Sequence, residues 1–179
     1  MRRHLANPDL AADSRRELIG LLNDTLASAL DLSMQAKHAH WNVRGPEFVS
    51  FHELFDDAAN RLRHSADVIA ERATALGGTA EGTARLVSKN SHVTEYDLSA
   101  VTTDEHVEAL AERMSLYARD LKAAALTAAR LGDIVTEDIL IEQLRGLDMD
   151  TWFLDASRPS EREERRKAAE ERPSAPPWH

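Results

Sequence analysis

The chain has 179 residues, of which 42% are hydrophobic, only 5% are aromatic and 7 are glycine, and its formal net charge is −9 at pH 7. That length fits one domain with a sizeable core, and the scarcity of aromatics and glycine favours helices packed through Leu and Ala over a sheet-rich protein. The lack of cysteine excludes disulfide frameworks, thiolate zinc sites and iron–sulfur clusters, and the negative balance argues against attraction of the whole surface to nucleic acid.

Residues 1–13 contain Pro8, lack the apolar core of a signal peptide and read as a flexible N-terminal segment. The first helix is expected to open at a capping box, Ser14-x-x-Glu17, in which each side chain satisfies the other's free backbone N–H. Its apolar stripe runs Leu18, Leu22, Thr25, Ala29, Leu32 and Ala36, and one further step of four lands on His40. The helix should stop between Asn42 and Gly45, because Pro46 supports a fresh start.

A second helix is expected from about Pro46 to Leu76, closed by Gly77-Gly78, with Phe48, Phe51, Phe55, Leu62, Ala66, Ile69, Ala73 and Leu76 on its apolar face. Thr79 to Thr102 show little helical period. A connection that long is unusual in a compact domain, but in a bundle it fits a crossover along the outside. The third helix should start at a second capping box, Thr102-x-x-Glu105, and follow Val107, Leu110, Met114, Leu121, Ala125 and Ala128 to Gly132. The fourth should cover Thr136 to Ser157, with Ile139, Leu140, Leu144, Leu147, Trp152 and Leu154 as core candidates. Residues 158–179 turn to Glu/Arg runs and then Pro, Ala and Ser, too poor in apolar groups to pack, and read as a flexible tail. No apolar run approaches the roughly 20 residues that span a bilayer, so a soluble, cytoplasmic protein without a membrane partner is expected. The fold class is all-α, an antiparallel four-helix bundle over residues 14–157 with a long connection between helices 2 and 3.

On the second helix, His52 and Asp56 are four apart, and so are Asp67 and Glu71, in mirrored order. Residues four apart share a helix face, and the eleven steps from Asp56 to Asp67 span about three turns, so both pairs lie on one stripe. At about 1.5 Å per residue the two aspartates stand roughly 16 Å apart along the axis. One chain therefore cannot close all four around one metal. Two copies crossing antiparallel about a two-fold axis near Arg61 and Leu62 would face His52 of one chain with Glu71 of the other, and Asp56 with Asp67. A His/carboxylate site shared by two subunits, occurring twice per dimer, follows from that spacing. No Glu stands three residues before any His, so the Glu-x-x-His arrangement of a di-iron centre inside one subunit is not available. Taken singly, each carboxylate reads as an ordinary solvated charge; it is the mirrored spacing, together with His40 on the preceding helix, that marks a site. Imidazoles with carboxylates suit Fe(II), with Zn(II), Mn(II) or Co(II) also compatible.

The stretch Lys37-His38-Ala39-His40-Trp41-Asn42-Val43-Arg44-Gly45, followed by Phe48, Phe51-His52-Glu53, Phe55-Asp56, Asp67, Ala70-Glu71-Arg72-Ala73 and Leu76-Gly77-Gly78, resembles the Dps family of ferritin-like mini-ferritins. The similarity covers about residues 14–157. It implies a ferritin-like four-helix bundle with a short helix in the middle connection, and twelve copies assembled into a hollow shell with ferroxidase centres between two-fold-related subunits. By position, His40, His52 and Asp56 match ligands from one subunit, and Asp67 and Glu71 those from its partner. The implied function is oxidation of Fe(II) to Fe(III), preferentially by hydrogen peroxide with dioxygen as the other oxidant, at centres with room for two metal positions. Fe(III) mineral is then stored in the dodecamer and DNA is spared oxidative damage. The alternative is a nucleoid-associated, DNA-compacting protein whose metal site is secondary.

Several further residues are open to two readings. Trp41 would either quench stray oxidising equivalents or simply pack at the helix end, and Lys37 would pair with a ligand carboxylate and weaken one metal position. His64, His92 and His106 read as surface residues, and His38 as pointing away from His40. Asp133, Glu137 and Asp138 would line an acidic entry channel at a three-fold axis, or would merely favour a helix N-terminus through its dipole. DNA contact would fall to the termini: Arg2, Arg3, His4, Arg15 and Arg16, and a tail whose six basic residues face five acidic ones. Subunits of charge −9 repel phosphate, so DNA binding is expected to be salt-dependent and weak or absent at physiological salt.

Overall fold

In a computed structural model, residues 6–157 are described; Arg2, Arg3 and His4 and the tail from residue 158 lie outside them. The order is α1 (Ala12–Asn42), α2 (Phe48–Ala75), α3 (Ala84–Asn90), α4 (Thr103–Arg130) and α5 (Ile134–Ala156), with no strand among the described residues. The four long helices form the bundle, and α3 is a short helix within the middle connection, packed against α1. The Arg44 N–H donates to the Val101 carbonyl (3.1 Å), which sets the start of α4 beside the end of α1. Arg72 near the end of α2 bonds Asp133 just before α5. Hence α4 runs parallel to α2, and the segment from Leu76 to Thr102 carries the chain back along the bundle's length.

The core is built mainly from the expected stripes. Leu18, Leu22, Ala29, Leu32 and Ala36 of α1 are fully enclosed, as are Phe55, Ile69, Ala73 and Leu76 of the second stripe and Leu110, Met114, Leu121 and Ala128 of the third. The box at Thr102 forms: its side chain accepts from the Glu105 N–H, and Glu105 accepts from the Thr102 and Val101 N–H groups at 2.9 Å each. Gly77 (φ 91°) and Gly132 (φ 80°) end α2 and α4 in the left-handed region, where a side chain is disfavoured.

Several local expectations are corrected. The first helix begins at Ala12, with Ala11 in the cap position and no side-chain cap, so the Ser14–Glu17 box does not form. The helix starts earlier because the preceding segment is anchored. Ala6 N–H donates to the Ala75 carbonyl (3.0 Å), and Arg15 donates to the carbonyls of Ala6 (2.9 Å), Asn7 (2.6 Å) and Leu76 (3.2 Å). Ala6 and Asn7 are thus bonded to the bundle, although the sequence reads as a loose segment there. Trp152 is 59% exposed, not core, because only Leu140, Leu147 and Leu154, each one heptad apart, reach the centre from α5. Phe48 also lies outward, packed against His52. His106 is fully buried; it stands four residues before Leu110 and beside Val107, so the buried stripe of α4 includes it in its first turns.

Candidate metal centre

His40, in the last turn of α1, and His52, in the second turn of α2, meet across the α1–α2 loop. Their rings stack with centroids 3.6 Å apart and planes 24° apart. Each Nδ1 lies on the other residue's backbone carbonyl: His40 Nδ1 is 2.7 Å from the His52 oxygen, and His52 Nδ1 is 2.8 Å from the His40 oxygen. A carbonyl only accepts, so each Nδ1 must carry the proton and donate. In a neutral ring Nε2 then keeps its lone pair, the orientation that backbone carbonyls impose on metal-binding imidazoles. Phe48 packs 4.9 Å from the His52 ring and restricts its movement.

Asp56 is one turn beyond His52. Its Oδ1 accepts from Lys37 Nζ at 2.5 Å, and the side chains of Lys37 and Asp56 are 21% and 38% exposed. The bond to Lys37 holds the Asp56 carboxyl below its ordinary range, with smaller help from the charges His40 and His52 would carry. The ammonium therefore occupies one oxygen of the Asp56 carboxylate. Lys37 Nζ also stands 6.0 Å from the centre of the Trp41 ring, which is 69% exposed.

Asp67 and Glu71 lie further along α2 and are exposed. Asp67 lines an open groove of about 700 Å³ together with Leu26, Leu30, Arg63, His64 and Ala80. Among the described residues, no three His, Asp or Glu side chains of one chain are grouped closely enough to hold a metal. His40 and His52 stand together, Asp56 lies one turn beyond His52 on α2, and Asp67 and Glu71 belong to a separate part of the same helix.

The remaining candidates separate clearly. His64 and His92 are exposed, and the nearest acidic neighbour of His92 is Asp120 at 3.8 Å. His38 turns toward the middle connection, its ring 5.0 Å from that of Tyr96. Asp133 does not line a surface: it is fully buried, with both carboxylate oxygens held by Arg72 at 2.8 Å and one also accepting from Thr136 Oγ1 at 2.5 Å. The acidic residue at that helix start serves an internal ion pair, which removes it from any channel. Two features escaped the sequence reading. Arg61 reaches Asp150 at 2.6 Å across 89 residues of chain, and Tyr96 reaches His106 Nδ1 at 2.8 Å. Only the second had a visible cue, the helical spacing of His106 from Leu110.

Four long helices with a crossover between the second and fourth elements, and paired imidazoles between the first two, define a ferritin-like bundle. The ferritin-like domain family matches residues 19–157. The chain is 38% identical over 156 residues to the DNA protection during starvation protein of Agrobacterium fabrum, covering 87% of this chain and 96% of that one. Its fold superposes on DpsA14 from Streptomyces coelicolor with a TM-score of 0.83 and 34% identity, covering 89% and 95% of the two chains. Dps from Microbacterium arborescens, solved in its high iron form, gives 0.76 and 28%, covering 85% and 96%. The chain belongs to the Dps family of ferritin-like proteins.

Proposed function

We propose that this protein is a ferroxidase that stores iron, with each centre shared by two subunits related by a two-fold axis. Family membership supports iron storage and DNA protection as its general role; the residues and the oxidant are the finer reading. His40, His52 and Asp56 would bind Fe(II) from one chain, and Asp67 and Glu71 would complete the pocket from its partner. The observation that carries this is the reciprocal pair of His–carbonyl bonds, which engages both Nδ1 atoms and leaves each Nε2 as the nitrogen available to a metal. Neutral imidazoles bind the ferrous substrate, and anionic carboxylates favour the more highly charged ferric product.

Hydrogen peroxide is the preferred oxidant in this reading, with dioxygen as the second. Two ferrous ions at one centre supply two electrons, so that peroxide and two protons leave as two waters without a hydroxyl radical being released. The ferric product then grows as mineral inside a dodecameric shell in the cytoplasm. Lys37 modulates the centre by competing for Asp56: a cation must displace the ammonium before it gains that oxygen. Among the described residues no helix is long and apolar enough to cross a membrane.

The test is anaerobic addition of Fe(II) followed by peroxide, with ferric absorbance, peroxide consumption and native mass followed together. The expected result is one peroxide consumed for every two Fe(II), few trapped hydroxyl adducts, and a twelve-subunit mass that rises on loading. Abundant hydroxyl adducts, or Fe(II) that stays ferrous, would defeat the reading. Zinc binding without ferrous oxidation would mark the same face as a structural site instead.

A further inference from the structure

Tyr96 and His106 are a buried pair that the proposed ferroxidase does not use. Tyr96 lies in the segment after α3, 7% exposed, and His106 in the first turns of α4, 0% exposed. The hydroxyl and Nδ1 are 2.8 Å apart. His106 Nε2 is enclosed without a hydrogen-bond partner, and the Asn42 backbone near the ring favours a proton on it. With the ring's hydrogen on Nε2, Nδ1 is the acceptor and the phenol donates to it. Burial holds the imidazole below its ordinary pKa and holds the phenol above its own. At rest both partners are neutral.

Three surroundings bear on what this pair can do. The Arg113 guanidinium lies 5.1 Å from the centre of the Tyr96 ring, so a positive charge left on that ring would be opposed at close range. Loss of an electron from Tyr96 therefore demands that the phenolic proton leave with it, and Nδ1 is positioned to take it. The other titratable neighbours are His38, edge-on to Tyr96 at 5.0 Å, Glu95 and Asp97 on either side of Tyr96 in the chain, and Glu105, whose charge favours a proton on His106. Finally, rings connect the pair to the end of the bundle holding His40 and His52: Phe55 is 6.2 Å from His106, and Phe51 is 5.9 Å from Phe55.

The chain contains its own control. It has two tyrosines, and the other, Tyr117, is 1% exposed. Its hydroxyl donates to the Thr25 carbonyl at 3.4 Å, an oxygen too weakly basic to take a proton. The two phenols are similarly buried; only one has a base.

We infer that Tyr96 and His106 form a proton-coupled electron donor: a one-electron oxidant such as hydroxyl radical takes an electron from Tyr96 while the phenolic proton passes to His106 Nδ1. The products are hydroxide from the oxidant, a neutral tyrosyl radical and an imidazolium. The return of an electron and the proton restores the pair. Such a donor extends the proposed peroxide chemistry by intercepting radicals that escape the centre, yet it rests on the pair's own geometry. A hydrogen bond serving only to strap the 91–102 segment to α4 would have no redox signature.

The experiment uses the full-length, iron-free protein and azide radicals generated by pulse radiolysis. A tyrosyl absorption should form, vanish in Tyr96→Phe and persist in Tyr117→Phe. In His106→Gln, whose side chain still accepts a hydrogen bond but takes no proton, its formation should slow about a hundredfold, the lower end of what a positioned base contributes. The unsubstituted protein should form the radical more slowly in heavy water, a readout that needs no variant to fold. A tyrosyl yield that survives Tyr96→Phe, or a rate insensitive to both His106→Gln and heavy water, would overturn the inference. Because no iron is present, failure of ferrous oxidation would strike the ferroxidase reading and leave this result standing, and the reverse.

Discussion

Helix α2 carries a cation–carboxylate pair at each end, and the two could hardly differ more in setting. Near its start, Lys37 and Asp56 are 2.5 Å apart and partly open to water, at 21% and 38% exposure. Near its end, Arg72 and Asp133 are 2.8 Å apart with 7% and 0% exposure, and the carboxylate is also held by Thr136. The first pair can open at little cost, because water replaces what each partner loses. The second cannot, since either charge left alone would be stranded in a low-dielectric interior. A flexible ammonium suits the place where a substrate cation is proposed to compete, and a planar, two-pronged guanidinium suits the place where helices must be locked together. The closed end keeps the bundle in register; the open end is where chemistry is proposed.

The largest expected effect comes from breaking the closed pair. Asp133→Ala should destabilise the protein by about 3–5 kcal/mol, the range for stranding one partner of a buried ion pair, measured by denaturant unfolding; a loss comparable to that of an exposed pair would erase the contrast. At the open end, His52→Ala should slow ferric formation at least about tenfold while the helical circular dichroism is retained. An unchanged rate would remove His52 from the proposed centre.

Acid sharpens the comparison further. Burial would raise the Asp133 pKa, but Arg72 and Thr136 outweigh it and keep the group below its ordinary 3.8. A depressed carboxylate contributes stability that is fully present above the unfolded value and is lost as pH falls from there through the folded one. Unfolding free energy should therefore decline as pH is lowered below about 4, and Asp133→Asn should flatten that decline; an equally steep curve in the variant would exclude Asp133 as its source. Thr102→Ala removes the cap of α4, whose neighbour Val101 is bonded to the α1–α2 loop, and should cost about 1 kcal/mol by thermal unfolding. Smallest in stability is Lys37→Met, below about 1 kcal/mol. It should instead tighten Fe(II) binding at the centre, measured anaerobically by calorimetry, and binding unchanged from the parent would show that the ammonium does not compete.

The helices were legible because their apolar residues recur at the helical period, which is a property of the chain alone. The stripe through Leu18, Leu22 and Leu32 needs no partner to be recognised. The corrected positions are those where a second element decides. Ser14 offers a capping signature, but Arg15 draws residues 6–10 against the end of α2 and moves the start to Ala12. Trp152 matches the apolar pattern of α5, whose hydrophobic residues cover more of the helix than the bundle can bury. At the site, the four-residue spacings placed His52 beside Asp56, and one step along the α1 stripe singled out His40. The exchange of Nδ1–carbonyl bonds between His40 and His52 was not readable, because it depends on how tightly the α1–α2 loop turns.

Spacing along a helix, and therefore the faces that its side chains share, was determined by sequence alone: the all-α class, two glycine stops and the mirrored His/carboxylate stripe. Tertiary structure decided which faces meet. It buried His106 against Tyr96, sank Asp133 under Arg72 and left Trp152 in the open. The physical reason is that periodicity is local and intrinsic to the backbone, whereas burial and pairing depend on contacts between residues tens of positions apart, which no single helix specifies.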